Sequence, residues 1–330
     1  MKCLACDFGG SSVKYALVDD KANITEQGKL SAPLESLEQF QDTVENLYNR
    51  FKDDIEGISI SIPGYIDPNN GFLFESGPYT HLYNKSVADV LMERCPVDIV
   101  AENDGKCAAL SEVWKGALKD VQNGAVIVLG SGVAGGIINN RRVHWGKGFT
   151  AGELSYMLTR NDTHSLMDMA MTHIGMYGLT YKICKYKNLD FSVQDSSAII
   201  NFFDQILADQ FPKSVGEPKK IKADGYQIFK WLDEGDPDVV RVYKEFIESL
   251  AMMIFNIQIL YAPEKVVIGG GLSRKDIIFK DVEEELNRYY GEGLISGQLK
   301  AEIVQSVYLD ECNLCGAAYN YFTRFGNNCM

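Results

Sequence analysis

The sequence predicts an α/β protein of two domains that repeat one architecture. Residues 4–18 and residues 126–138 each show a short apolar strand, a turn of Gly and Ser, and a second apolar strand. A chain of 330 residues is long enough to divide into two domains with their own cores. The order of hairpin, helix and strand at the start of the chain adds a mixed α/β sheet to the prediction.

The two Gly/Ser turns are candidates for holding a ligand. The first is Gly9-Gly10-Ser11-Ser12 and the second is Gly130-Ser131-Gly132. Glycine lets backbone N–H groups approach a ligand closely, so such a turn can cradle a phosphate, but it also joins the strands of an ordinary hairpin. Because the turn occurs twice and each copy heads one part of the chain, we interpret the pair as facing turns that hold a polyphosphate.

Two further elements between these turns follow from local pattern. Ser36 precedes apolar residues at helical spacing as far as Phe51, which predicts an amphipathic helix with serine as its N-cap. The stretch Gly57–Ile62 alternates apolar and polar residues and runs into Pro63-Gly64. That pattern predicts a strand that delivers a loop.

The next strand, from Asp98, stops at Asn103-Asp104 before a helical pattern begins. An aspartate at such a junction most often caps the helix, and on position alone we favour that interpretation for Asp104. The functional alternative is a carboxylate that accepts a proton from a substrate hydroxyl.

The second half of the chain is mainly helical by its apolar spacing. The pattern predicts a long core helix over residues 239–261, and within it the stretch from Ser249 to Ala262 is too short and polar for a membrane span, so we expect it to be buried. Shorter helices are predicted over residues 197–207 and 313–322, and a loop over residues 211–218.

Net charge and cysteine usage argue against a nucleic-acid partner, an anionic membrane, a disulfide framework and a cysteine zinc site. The net charge of −13 and the pI of about 4.9 disfavour a nucleic acid or an anionic membrane. No signal peptide is visible, so we expect a cytoplasmic protein whose eight cysteines are free thiols. Cys3 and Cys6 lie on one strand with their side chains on opposite faces, which argues against a zinc site shared with Cys312 and Cys315.

Several motifs in order resemble the ROK family of sugar kinases and repressors. They are Asp7-Phe8-Gly9-Gly10-Ser11-Ser12-Val13-Lys14, similar to DxGGTxxK; Ser61-Ile62-Pro63-Gly64-Tyr65-Ile66-Asp67, similar to PGxxD; Asn103-Asp104; residues 129–136; Gly235-Asp236-Pro237; residues 262–273; and Gly316-Ala317-Ala318. The resemblance covers nearly the whole chain. It implies an actin-like, hexokinase-like fold, a duplicated ribonuclease H-like fold with a central cleft. The implied domains are residues 1–117, joined by a C-terminal helix at about 312–330, and residues 118–311.

The resemblance also implies roles for individual residues. Asp104 becomes the general base for the 6-hydroxyl of a sugar, while Asn103, Glu153 and Gly64 bind the sugar. Asp7 orients a hydrated Mg²⁺. The residues implied around ATP and Mg²⁺ are Asp7, Gly9, Gly10, Ser11, Ser12, Lys14, Ser131, Gly132, Val133, Gly135, Gly270 and Gly271. A homodimer is expected from the relatives.

The chain departs from the family pattern after the second turn. Where the family has Glu-x-Gly-His and then a cysteine-rich zinc loop, this chain keeps Glu153, has Tyr156 for the histidine, and resumes at residues 165–170 without a cysteine. We therefore predict no structural zinc, and we interpret His164 and His173 as surface or packing residues. Met167 aligns with a lost glutamate.

Tyr156 and Met167 bear on the substrate. Replacing two polar contacts to the anomeric end of the sugar weakens selection for a free 1-hydroxyl, and an aromatic ring can stack on a sugar or an aglycone. The hypothesis is an ATP-dependent kinase of the 6-hydroxyl of a hexose or a β-glucoside, with glucose or N-acetylmannosamine as alternative substrates. A non-catalytic sugar-binding regulator is the rival function. A repressor is disfavoured because no DNA-binding segment precedes the first strand, and an acetate-kinase-like enzyme lacks the set Asn103, Asp104 and Glu153.

Overall fold

A computed structural model describes residues 1–191, 203–205, 211, 218–221, 223–291 and 300–326. The strands are β1 (Lys2–Phe8), β2 (Ser12–Asp19), β3 (Ile24–Ser31), β4 (Gly57–Ile62), β5 (Tyr65–Asp67), β6 (Phe72–Glu75), β7 (Lys85–Ser86), β8 (Asp98–Asn103), β9 (Gly124–Leu129), β10 (Val133–Asn139), β11 (Arg142–Val143), β12 (Lys265–Gly269) and β13 (Glu302–Gln305).

The α-helices complete the mixed architecture. They are α1 (Leu37–Phe51), α2 (Val87–Leu91), α3 (Asp104–Trp114), α4 (Ala170–His173), α5 (Met176–Lys187), α6 (Gly225–Asp233), α7 (Pro237–Tyr261), α8 (Asp276–Gly291) and α9 (Cys312–Phe325). Residues 203–205 are helical, and the rest of the helix predicted over 197–207 lies outside the described residues, as does most of the loop predicted over 211–218.

The chain divides into two compact units. Unit 1 comprises Met1–Val126, Gly135–Gly152 and Gln305–Met330, and unit 2 comprises Ile127–Ala134 and Glu153–Val304. The functional domain boundaries near residues 117 and 311 stay a prediction.

The sheets confirm both predicted strand–turn–strand segments and the mixed α/β class. One sheet has the order β3-β2-β1-β4-β8, in which β1 pairs antiparallel with β2 and parallel with β4. A second sheet has the order β11-β10-β9-β12-β13, and β5-β6-β7 form a small third sheet. In the first sheet Asp7 lies opposite Lys14 on β2 and Ser61 on β4, so three polar side chains meet where β1 ends.

Unit 1 has an apolar core on each face of its five-stranded sheet. Cys6 packs in the cluster with Phe40 and the other buried side chains of α1, while Cys3 packs in the cluster with Tyr321 of α9. The opposite orientation of the two cysteines is thus confirmed. The predicted return of the C-terminal helix is also observed, because the Ser59 hydroxyl donates to the carbonyl of Ala317 (2.5 Å).

Local signals set the helix ends. The Ser36 hydroxyl accepts a hydrogen bond from the Gln39 N–H (3.1 Å), which confirms the N-cap of α1. Helix α7 begins at Pro237 after an Asp236 cap and buries the apolar stripe that the sequence predicts. Its last turn differs from the prediction of a buried segment, since Leu260 is 80% exposed. Among the described residues, no helix is both long and apolar enough to cross a membrane.

Candidate functional site

The junction between β8 and α3 corrects the capping interpretation of Asp104. Asn103 has extended backbone angles and its side chain accepts the N–H of Lys106 (3.1 Å), so Asn103 is the N-cap. Asp104 is the first helical residue, half-buried, and its carboxylate accepts the N–H of Gly105 (2.8 Å). A carboxylate in the first turn is favoured by the helix dipole, but α3 does not need it as a cap.

Gly64 orients Asn103 and has a structural reason to be glycine. Its φ is +127°, and a Cβ there would lie 1.9 Å from the carbonyl oxygen of Glu75. The Gly64 carbonyl accepts a hydrogen bond from the Asn103 amide nitrogen (3.1 Å). The close packing of the loop on β6 therefore fixes the direction of an amide that is predicted to bind sugar.

Glu102 is a buried carboxylate that sequence reasoning missed. It accepts hydrogen bonds from the Asn103 N–H and from the Trp145 indole N–H, both 2.9 Å. Burial raises the pKa of Glu102, although these two hydrogen bonds and the charges of Lys106 and Arg324 oppose the rise. The one local signal was an acidic residue that directly follows the apolar run Ile99-Val100-Ala101.

Asp7 is the penultimate residue of β1, just before the first turn. Its Oδ1 accepts the Ser61 hydroxyl (2.8 Å) and the Asn313 amide nitrogen (3.0 Å), and only 9% of the residue is exposed. Burial raises the pKa of Asp7, while these hydrogen bonds and the charge of Lys14 counteract it. Carboxylate oxygen is the ligand type that Mg²⁺ prefers, so a carboxylate whose known hydrogen bonds fall on one oxygen fits such an ion.

The first turn is closed by its own backbone. The Gly9 N–H donates to the Ser12 carbonyl (3.0 Å), and the Gly9 carbonyl accepts the Tyr79 hydroxyl (2.6 Å). Gly10 and Ser11 are exposed, and Ser12 begins β2.

The second turn is attached to helix α5. The N–H groups of Met176 and Tyr177 donate to the carbonyls of Gly130 (3.0 Å) and Ser131 (2.9 Å). Ser131 and Gly132 are exposed, whereas Val133 is buried at the start of β10. Gly135 lies inside β10, where its backbone packs against Gly105; a Cβ on Gly105 would approach the Gly135 nitrogen to 2.4 Å.

Gly10 and Gly132 of the two turns, and Gly271 after β12, have no structural need to be glycine. A Cβ at Gly10, Gly132 or Gly271 would meet no atom within 4 Å, and none of the three has a φ in the left-handed region. Gly270 differs, with a φ of +83° and a Cβ position 2.4 Å from the Leu129 carbonyl oxygen. Open space above a glycine backbone is what close approach of a phosphate requires, so the backbone at each of Gly10, Gly132 and Gly271 can accommodate a phosphate group.

Unit 2 contains a pocket of about 460 Å³ beside the second turn. Its lining residues are Leu129, Gly130, Ser131, Met176, Gly225, Tyr226, Phe229, Gly271, Leu272, Arg274 and Lys275. The Lys275 ammonium lies 4.8 Å from the Phe229 ring centroid. Ser131 and Gly271 were candidates from sequence; the residues from α6 and Lys275 were not, because no motif marks them.

Residues 153–168 form a loop held by polar contacts. Glu153 is half-buried before a 3₁₀ turn, and Tyr156 is 51% exposed. Met167 packs beside the Tyr181 cluster, and its carbonyl lies 2.6 Å from His173 Nε2. Glu153 and Asp104 belong to different units, so their joint contact with one sugar stays a prediction.

Asp168 and Lys182 complete this loop. The Asp168 carboxylate accepts the N–H groups of Asp162, Thr163 and His164, at 3.3, 3.1 and 2.8 Å. Lys182 is buried, with its ammonium 2.6 Å from His173 Nδ1 and 3.2 Å from Glu245. His173 is a packing residue, as the sequence indicates. Among the residues that the structure describes, no cluster of three or more His, Cys, Asp or Glu could hold a metal ion.

Comparison with known proteins identifies relatives along the whole chain. A model of the ROK family matches residues 3–322. The chain is 24% identical over 324 residues to a β-glucoside kinase of Listeria innocua, with 97% of each chain covered. It is 26% identical over 317 residues to an N-acetyl-D-glucosamine kinase of Vibrio atlanticus, covering 95% of this chain and 97% of the relative.

A solved structure shares the fold. The ROK family glucokinase from Streptomyces griseus, crystallised with glucose and AMPPNP, superposes with a TM-score of 0.73 at 20% identity, covering 96% of this chain and 98% of that one. The predicted actin-like, hexokinase-like class is therefore confirmed.

Proposed function

The chain belongs to the ROK family, and on that premise we propose that it transfers the γ-phosphate of ATP to the 6-hydroxyl of a hexose or a β-glucoside. Its relatives include kinases of both kinds of sugar. The observation that carries the proposal is the junction of β8 and α3, where Asn103 supplies the cap and the Asp104 carboxylate is not required for it. A carboxylate is a side chain that can accept a proton in general-base catalysis.

The proposal gives the predicted site residues three kinds of role: proton transfer, sugar binding and nucleotide binding. Asp104 takes the proton of the sugar hydroxyl as its oxygen bonds to the γ-phosphorus, while the bond from that phosphorus to the β,γ-bridging oxygen breaks and ADP leaves. Asn103 and Glu153 hold ring hydroxyls, and the exposed glycine turns hold the phosphates through backbone N–H groups. The pocket of unit 2 accepts the adenosine, since it adjoins the second turn and offers Tyr226 and Phe229 to a flat ring.

Mg²⁺ would be held through Asp7 and water. An ion held there would supply positive charge to stabilise the phosphoryl group during transfer. Asp7 itself contributes a carboxylate that Ser61 and Asn313 hold in one rotamer.

Exchange of the proposed base is the direct test. We expect Asp104→Asn to lower kcat by about 10³-fold, within the range for loss of a general base, and to change sugar affinity little. Asp98→Asn, at the exposed start of the same strand, is the matched control and should keep wild-type turnover. Wild-type turnover by Asp104→Asn would refute the base assignment. Sugar binding without turnover by the wild-type chain would favour the regulator instead.

A second test determines which class of sugar the chain phosphorylates most efficiently. ATP-dependent phosphorylation of glucose, N-acetylmannosamine, cellobiose and aryl β-glucosides should be compared by kcat/KM. A clear preference for a free reducing hexose would contradict the glucoside hypothesis.

A further inference from the structure

Unit 1 presents an aromatic pair that the proposed mechanism does not use. Phe74 of β6 and Phe149 stack with their ring centroids 6.0 Å apart and an interplanar angle of 21°. Phe74 is 48% exposed, and Phe72 packs edge-on against it at 5.0 Å. Single exposed apolar side chains are ordinary, but a stacked pair with one ring half in solvent is an ordered aromatic surface.

Phe149 adopts an unfavourable backbone conformation to join this pair. Its φ is +62°, in the left-handed region that bulky side chains rarely occupy. The preceding residue, Gly148, has a φ of +66°, and nothing lies within 4 Å of a Cβ there. Strain of this kind persists where surrounding contacts impose it, and it is concentrated at binding sites.

The pair is connected on both sides to the predicted sugar-binding amide. On the Phe74 side, Gly64 packs on Glu75 and accepts the Asn103 amide. On the Phe149 side, the Ala151 N–H donates to the Trp145 carbonyl (3.0 Å), and the Trp145 indole donates to Glu102, the neighbour of Asn103. Within unit 1 these contacts link the chain segments that carry Phe74 and Phe149 to the segment that carries Asn103.

We propose that Phe74 and Phe149 form a specificity platform that packs against a ring attached to the phosphorylated sugar, either an aryl aglycone or a second pyranose. The inference rests on the proposed kinase function. It predicts that the sugar substrates that accept the phosphoryl group are glycosides with a ring substituent. A phenyl face suits both ligands, because it offers flat apolar contact to an aryl ring and to the C–H face of a sugar. Tyr156, the aromatic candidate from sequence, belongs to unit 2, whereas Phe74 and Phe149 both belong to unit 1.

Binding tests the platform independently of turnover. Calorimetry with phenyl β-glucoside, cellobiose and methyl β-glucoside measures the preference for a ring substituent over a methyl group. We expect the wild-type chain to bind the ring-bearing ligands about three- to tenfold more tightly than the methyl glycoside. Phe74→Ala and Phe149→Gly should each reduce that ratio to about one, and Phe74→Tyr should restore it.

The variants are chosen to separate binding from folding. Phe149→Gly removes the ring and also relieves the positive φ, so its thermal midpoint should not fall. Phe325→Ala, which removes a 41% exposed phenyl group from α9, is the matched control and should keep the wild-type ratio. If the platform substitutions abolish the affinity preference over methyl β-glucoside for phenyl β-glucoside alone, the platform binds an aryl group. If they abolish it for cellobiose as well, the platform binds either kind of ring.

Two outcomes would overturn the platform. One is a wild-type ratio of about one, and the other is a ratio that survives both substitutions. A wild-type chain that phosphorylates no sugar but shows a ratio sensitive to Phe74 and Phe149 would refute the kinase and support the platform. A wild-type chain that phosphorylates sugars, but whose affinity ratio is unchanged by substitution of Phe74 and Phe149, would support the kinase and refute the platform.

Discussion

Two buried aspartates, one in each unit, are treated differently by their surroundings. Asp7 in unit 1 has two neutral side-chain donors on one oxygen, and burial leaves its pKa raised. Asp168 in unit 2 is only 2% exposed, yet its pKa is lowered: burial acts against the charged form, but N–H groups of residues 162–164 outweigh it. Both carboxylates are shielded from solvent, but Asp7 lies deeper among protein atoms, so burial outweighs the donors at Asp7 and the donors outweigh burial at Asp168.

The contrast distinguishes a carboxylate that holds a loop together from the carboxylate that we propose binds Mg²⁺. Asp168 is saturated by the loop that it closes, and its charge stabilises that loop. Asp7 is undercompensated by the chain, and Glu102 shares this condition because burial also raises its pKa. Groups with perturbed pKa values of this kind are concentrated at functional sites, since a bound charge supplies what the chain does not.

Among the substitutions that test this contrast, Asp7→Asn has the largest expected effect. Loss of the carboxylate should lower kcat by about a hundredfold or more, as for removal of a key electrostatic group. The thermal midpoint should stay constant or rise, because burial of a charge at a raised pKa costs stability. Steady-state kinetics at several Mg²⁺ concentrations and a thermal melt measure both quantities. An active variant, or one that is clearly destabilised, would place Asp7 in the same class as Asp168.

Asp168→Asn should show the opposite pattern. The amide keeps one acceptor but loses the charge, so the loop should be destabilised by about 1.5–3 kcal/mol, the value of hydrogen bonds to a charged group. Hydrogen exchange at the amides of residues 162–164 should accelerate, and kcat should fall less than in Asp7→Asn. Unchanged exchange in this segment would show that the carboxylate does not hold the loop.

Elements that depend on neighbours in sequence were predictable. The N-cap at Ser36, the stripe of α1 and both strand–turn–strand segments follow from periodicity and turn residues, and all are observed. The helix start at Asn103-Asp104 was misassigned by one residue. Asn and Asp cap equally well, so composition could not decide which of the two adopts extended backbone angles.

Contacts between distant parts of the chain could not be predicted in this way. Asp7 and Asn313 are separated by 306 positions, and Glu102 and Trp145 by 43. No periodicity links such pairs, because the pairing depends on how the elements pack. The positive φ of Phe149 was equally hidden, since nothing local favours that conformation for phenylalanine. Sequence therefore indicated the residue types of the site, and tertiary packing decided which of them are satisfied.

His173 extends the comparison through pH and gives the smallest expected effect. Burial, followed by the charge of Lys182, lowers the pKa of His173 far below its usual value of 6.5. The unfolded chain then binds more protons than the folded chain below about pH 6.5, so this histidine makes stability fall as the pH falls. The raised pKa of Asp7 acts in the opposite direction, because there the folded chain holds the extra proton.

The test is the pH dependence of thermal unfolding in His173→Gln. The variant has no imidazole to titrate, so its stability should fall less steeply below pH 6.5 than that of the wild-type chain. The difference in slope is at most about 1.4 kcal/mol per pH unit, the value of one proton. A contrary result would be a stability of His173→Gln that falls with pH as steeply as that of the wild-type chain. The imidazole would then protonate in the folded chain, and unit 2 would tolerate a buried charge that its own donors and acceptors do not compensate.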